Sequence, residues 1–131
     1  MQRAKVAELA FAAMSPDDVR RCCLGMPGAN EEFPFGPSTS VFKVGGKMFA
    51  LSALRSRPLS VSVKCEPELA EQLRLSYEAI GPGYHLNKRH WNTIVLDGSL
   101  PDAMVRDMIE DSYDLVVAKL PQATQRELGW P

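Results

Sequence analysis

The sequence predicts an α+β fold: an antiparallel sheet of about four strands with helices packed on one side, in the order α-β-β-β-α-β-α. Three observations carry this reading. Two β-prone runs, Ser40 to Val44 and Lys47 to Leu54, flank Gly45-Gly46, a pair that permits the positive φ angles of a tight hairpin. A third run, Leu59 to Lys64, follows after the turn Arg55-Ser56-Arg57-Pro58. Helical patterns stand at the beginning, middle and end instead of alternating with every strand, which argues against a parallel α/β sheet.

The first helix begins at Ser15-Pro16-Asp17-Asp18. Ser15 can cap, Pro16 suits the first helical position and Asp18 can reach back in a capping box; Gly25 should end the helix. Upstream, Val6, Leu9, Ala10 and Ala13 fall at helical spacing, so residues 1–14 are expected to form a helical extension. From Gly28 to Pro37 repeated breakers predict an irregular connection anchored by Phe33 and Phe35. In the third run Leu59, Val61 and Val63 alternate with Ser60, Ser62 and Lys64, which predicts one buried and one wetted sheet face. Glu66-Pro67-Glu68 opens a second helix with Leu69 and Leu73 on one face, and Gly81-Pro82-Gly83 closes that unit. Thr93 to Leu96 reads as a short buried strand ended by Asp97-Gly98. Ser99-Leu100-Pro101-Asp102 then starts a long amphipathic helix in which Val105, Met108, Ile109, Ser112, Leu115, Val116 and Leu120 recur at three and four, a face fit to cover the sheet.

At 131 residues the chain fits a single domain, 1–131 with a core of about 15–120 and no internal repeat or linker. Its 45% hydrophobic and 24% charged residues are ordinary for a globular protein, and no uninterrupted apolar run is long enough to span a bilayer. The three cysteines, Cys22, Cys23 and Cys65, are odd in number and two are neighbours, which argues against a disulfide scaffold and for a reducing, cytoplasmic location. A formal net charge of -1 lacks the basic excess usual in a dedicated nucleic-acid binder, so any such role must rest on a local cluster.

That cluster is Gly83 to Asn92, where Tyr84, His85, Asn87, Lys88, Arg89, His90, Trp91 and Asn92 gather both histidines, two adjacent cations, two aromatics and two amides. Cations interleaved with aromatics suit a phosphate backbone with stacked or wedged bases. The other reading of the same residues is a tied-down loop whose aromatics pack and whose polar groups satisfy one another. Trp91, just before a strand, is expected to be mostly buried as an anchor.

Catalytic patterns are missing from the sequence. His85 and His90 stand five apart, outside the helical zinc motifs, and no nearby Asp or Cys completes a metal set. There is no nucleophile elbow, Walker loop or dinucleotide fingerprint. Cys65 at a helix start is a candidate activated thiol, against the reading of a buried structural cysteine. The adjacent carboxylates Asp17-Asp18 and Glu31-Glu32 point in different directions within a helix or strand, so neither pair is a ready acid/base dyad. The expectation is a non-enzymatic protein with no cofactor and no metal.

Five ordered blocks carry a resemblance. They are Pro34-Phe35-Gly36, Val41 to Leu51, Lys64-Cys65-Glu66-Pro67, Tyr84 to Asn92 and Ser112-Tyr113-Asp114-Leu115-Val116. Together they resemble the MmcQ/YjbR-like family of small bacterial proteins over roughly Ser15 to Leu120, and the Tyr84-His85 to His90-Trp91 block is the most specific. The resemblance implies a compact fold with a double-wing arrangement and a DNA-binding role. Carried onto this chain, the wings would be the Lys43 to Lys47 hairpin and the Arg55 to Pro58 connection, with DNA contacts from Lys43, Lys47, Arg55, Arg57, Lys88 and Arg89. The alternative is a small-ligand or protein-interaction module with a pocket built from Tyr84, His85, Asn87, His90 and Trp91.

Overall fold

The computed structural model describes residues 13–83 and 86–131. The helical expectation for residues 1–12 therefore lies outside the described residues, as do Tyr84 and His85; Ala13 and Met14 are irregular. The first helix, α1, runs Pro16–Leu24, and the capping box forms as its sequence dictates: Asp18 N–H donates to Ser15 Oγ at 3.1 Å and Ser15 N–H to Asp18 Oδ2 at 2.9 Å. The backbone hydrogen bond to Ser15 is the main reason the Asp18 carboxyl lies below its ordinary value.

Six strands follow, two more than the sequence predicts: β1 (Asn30–Glu32), β2 (Ser40–Val44), β3 (Lys47–Ser52), β4 (Ser60–Lys64), β5 (Ile80–Pro82) and β6 (Trp91–Val95). All pair antiparallel in the order β1-β2-β3-β4-β6-β5. Helix α2 (Pro67–Ser76) stands between β4 and β5, α3 (Asp102–Val117) follows β6, and a short α4 (Gln122–Glu127) ends the chain. The element order is thus α-β-β-β-β-α-β-β-α-α. The two extra strands have only three residues each and lie at the two edges, β1 inside the expected irregular connection and β5 inside the expected Gly-Pro terminator. Ladder hydrogen bonds need no apolar period, and an edge strand tolerates Pro82, so neither leaves a pattern to read. Gly45 and Gly46, with φ of 57° and 79°, make the β2–β3 turn as expected.

The registers align Phe42, Ala50, Val63 and Asn92 in one row across the sheet, with Val61, Ile94 and Ile80 in a parallel row on the same face. These pack with Val19 and Cys23 of α1 and Val105, Ile109, Tyr113, Val116 and Val117 of α3 into the core. Leu59, Val61 and Val63 are buried as predicted, but Ser62 on the opposite face is also buried, contrary to the expected alternation, while Ser60 is half-exposed. The Ser62 and Thr93 hydroxyls meet at 2.8 Å across β4 and β6, so the strands satisfy their own polar groups and burial there costs little. Phe33 and Phe35 do not anchor their loop: they are 51% and 66% exposed.

Helix α3 is tied to the sheet by more than apolar contact. The β3–β4 ladder pairs Ala50 with Val63 and Leu51 with Ser62, then stops. The next pair would join Phe49 to Lys64, and here the fully buried Ser112 hydroxyl intervenes, donating to the Phe49 carbonyl at 2.6 Å and accepting from the Lys64 N–H at 2.8 Å. Tyr113, beside it, sets its ring edge-on to Phe49 at 5.4 Å and donates its hydroxyl to the Pro27 carbonyl at 2.6 Å. Among the described residues no helix is long and apolar enough to cross a membrane.

Candidate functional site

The Lys88–Arg89 segment is a turn held by its backbone. Asn87 Oδ1 accepts from the Arg89 N–H at 3.0 Å, His90 N–H donates to the Asn87 carbonyl at 3.1 Å, and the His90 carbonyl accepts from the Cys65 N–H at 2.8 Å. Trp91 is 6% exposed, the anchor the sequence predicts, and it closes on Gly83: a Cβ on Gly83 would stand 2.6 Å from the Trp91 Cβ. Asn92, on the core face, accepts from Arg74 Nη1 at 2.8 Å and donates to the Ala70 carbonyl at 3.3 Å. Arg74 Nη1 also donates to the Lys88 carbonyl at 3.0 Å, so Arg74 and Asn92 clamp α2 to the loop and to β6. The sequence marks Asn92 only as the last residue of the Gly83 to Asn92 cluster and does not mark Arg74, so the pairing emerges only from the fold.

The six nominated cations do not form one surface. Lys43 is half-buried, its Nζ 3.1 Å from Glu32 Oε1. Strand β3 runs from Lys47 toward the connection that carries Arg55 and Arg57, so the two proposed wings lie at opposite ends of the sheet, roughly 17 Å of strand apart. Trp91 pairs with Lys64 at the Lys47 end, so Lys88 and Arg89 share that end with Lys47 and not with Arg55 and Arg57. All five of these are exposed, and Lys88 and Arg89 line a shallow depression with Arg74, Glu68 and Glu71, where the two carboxylates offset part of the positive potential of three cations.

An apolar concavity lies beside this end and is one the sequence reading did not locate. Helix α3 packs over β2, β3 and β4, whereas α2 packs over β5 and β6. Between the two helices a half-open groove of about 380 Å³ has Val63 and Asn92 as its floor. Leu69 and Leu73 of α2 form one wall, Met108, Asp111 and Leu115 of α3 the other, and Lys64, Cys65 and Glu66 close one end. Asp114, Ala118 and Trp130 complete the rim. Of the nominated pocket residues within the described part of the chain, Asn87, His90 and Trp91 do not line it; their neighbours Asn92 and Cys65 do.

Trp130 is placed by the last turns of the chain. Gln125 Nε2 donates to the Val117 carbonyl at 2.9 Å and to those of Ala118 and Leu120 at 3.2 Å, capping α3. The Trp130 N–H then donates to the Gln125 carbonyl at 3.0 Å, and its indole Nε1 to Asp114 Oδ1 at 3.2 Å. A lone Trp in a polar tail carries no periodic signal, so its role emerges only from the fold.

The groove is apolar with charge at its edge. The Asp111 carboxyl is pushed above its ordinary value, first by burial and then by Asp107 and Asp114. The Cys65 thiol is also pushed up, by burial first, then Asp111 and Glu66, so it stays protonated instead of being activated by the helix start. Cys22, Cys23 and Cys65 are all free thiols. Among the described residues no cluster of His, Cys, Asp and Glu stands ready to hold a metal.

Comparison with known proteins adds the family. The YjbR family model matches residues 24–115. Escherichia coli O157:H7 YbdF is 37% identical over 113 residues, covering 86% of this chain and 92% of its own. Escherichia coli K12 YjbR is 36% identical over 116 residues, covering 88% and 98%. The crystal structure of Deinococcus radiodurans DR2400 superposes with a TM-score of 0.84 at 42% identity, covering 91% of each chain. The family model spans most of the chain and the Deinococcus radiodurans structure shares its fold, and the chain belongs to the YjbR family.

Proposed function

We propose that this protein is a non-enzymatic binding module of the cytoplasm whose working surface is the groove between α2 and α3. The observation that carries the reading is the groove itself: about 380 Å³ of concave space lined by Leu69, Leu73, Met108, Leu115 and Trp130. That volume is in the range of small-ligand sites, roughly 300–1,000 Å³, and such sites combine an apolar lining with a few placed polar groups. The protonated state of Cys65 favours binding over nucleophilic chemistry. Its three unpaired thiols suit a reducing compartment. The test is a titration of isotope-labelled protein with 1-octanol, a neutral apolar probe, read by amide and indole NMR. The expected result is a saturable shift of the groove signals, weakened by Leu69→Gln, which removes apolar lining from a side chain already 44% exposed. Shifts scattered over the surface, or none, would refute the assignment.

A second reading, duplex DNA, rests on one observation: Lys47, Lys88 and Arg89 are exposed at the same end of the sheet. Three such cations, two of them facing Glu68 and Glu71, support weak, salt-sensitive and sequence-tolerant contact, with dissociation constants on the order of 10⁻⁴ to 10⁻⁶ M. Replacing Lys88 and Arg89 together by Ala should lower both affinity and its salt dependence without unfolding the protein. Binding indifferent to that change would remove this surface from consideration.

A further inference from the structure

We infer that the groove selects a small amphiphilic cation, an alkyl or aryl chain ending in an ammonium or guanidinium group; this rests on the reading of the groove as the binding surface. Glu66, Asp111 and Asp114 stand around its apolar lining against the ammonium of Lys64, with the Arg74 guanidinium outside the lining and bonded to Asn92 of the floor. The ion pairs among the described residues are Arg20 with Glu31 and Lys43 with Glu32, so no described residue forms a salt bridge with the acids of the groove. Asp114 accepts the indole N–H of Trp130, which leaves Glu66 and Asp111 as the carboxylates open to a ligand.

The two sides of the groove complement the two ends of such a molecule. Leu69, Leu73 and Leu115 offer area to a chain but no partner to a polar group buried with it. The cationic end reaches the rim, where it meets carboxylates and the half-buried Trp130, whose ring face attracts cations in addition. Asp111, raised first by burial, also feels the repulsion of Asp107 and Asp114, and a bound cation offsets that repulsion. An anionic amphiphile of the same length meets the same lining but a repulsive rim. The volume fits a free small molecule; a peptide helix, about 10–12 Å across with its side chains, needs a longer trough.

The experiment titrates the full chain with octylammonium, 1-octanol and octanoate in turn, reading site and affinity from the NMR signals. The Trp130 indole signal reports the rim, and that of the buried Trp91 serves as internal control. Octylammonium is expected to bind about fivefold or more tighter than 1-octanol, with octanoate weakest. In the double variant Glu66→Gln and Asp111→Asn the octylammonium affinity should fall to that of 1-octanol measured on the same variant. Equal binding of all three probes at the groove would overturn the cation preference and leave the groove reading standing. No binding by any of them would overturn both.

Discussion

Helices α2 and α3 pack on the same face of one sheet, but they are bound to it in different ways. Helix α3 buries Val105, Ile109, Ser112, Tyr113, Val116 and Val117, and its Ser112 completes the backbone bonding where β3 and β4 part. Helix α2 buries only Ala70, leaves Leu69 at 44% exposure, packs Leu73 against the core and is tied to β6 by the Arg74–Asn92 clamp. A helix that closes the core has its apolar stripe covered; one pinned at a few polar points leaves part of that stripe facing a neighbour across open space. The groove is that uncovered stripe.

Stability measurements can break this contrast. Ser112→Ala strips a partner from the Phe49 carbonyl and the Lys64 N–H at once, and should cost about 2–4 kcal/mol in chemical denaturation. A loss below about 0.5 kcal/mol would show that α3 is held by apolar contact alone. Asn92→Ala should cost less, about 1–3 kcal/mol, because Arg74 retains the Lys88 carbonyl and the Ala70 carbonyl, inside α2, loses only an additional side-chain donor. Hydrogen exchange should then speed up in α2 before α3; uniform acceleration would contradict the two-mode picture.

The smallest effect is electrostatic and has a definite sign. Asp111 titrates above its ordinary value of 3.8 in the folded protein, so the fold holds that proton more tightly than the unfolded chain does. Stability therefore falls as pH rises through the interval between the two values, and the penalty is complete above it. Asp111→Asn should make the protein slightly more stable than the parent at neutral pH, with the gain vanishing as pH drops below the ordinary carboxylate range. Asp18 has the opposite sign: its value is lowered by the Ser15 cap, so its contribution is present at neutral pH and lost in acid. Equal stability of the Asp111 variant and parent at every pH would remove the strained carboxylate from the account.

The sequence foretold the parts of the fold that local chemistry dictates. The capping box at Ser15, the Gly45-Gly46 turn, the β2 boundaries and the periodic face of α3 follow from single residues or short periods. The edge strands were hidden because their pairing is a property of the backbone, and Ser62 was misassigned because its burial depends on Thr93, 31 residues away. The candidate site was less legible. Gly83 to Asn92 drew notice through its density of functional groups, yet much of that density is structural: Trp91 packs, Asn92 clamps and the His90 carbonyl serves Cys65. The groove depends on the angle between two helices and on a Trp at the chain's end, and no linear spacing encodes either.

The central claim is that recognition takes place between α2 and α3 and not at the basic end of the sheet. Its most direct test is a pair of NMR titrations of the same labelled protein, one with octylammonium and one with a short DNA duplex at low salt. Saturable octylammonium shifts are expected, confined to residues 64–73, 108–118 and the Trp130 indole, with the duplex giving at most weak shifts around Lys47, Lys88 and Arg89 that disappear as salt is raised. Tight, salt-resistant duplex binding centred on Lys88 and Arg89, with an unresponsive groove, would contradict it.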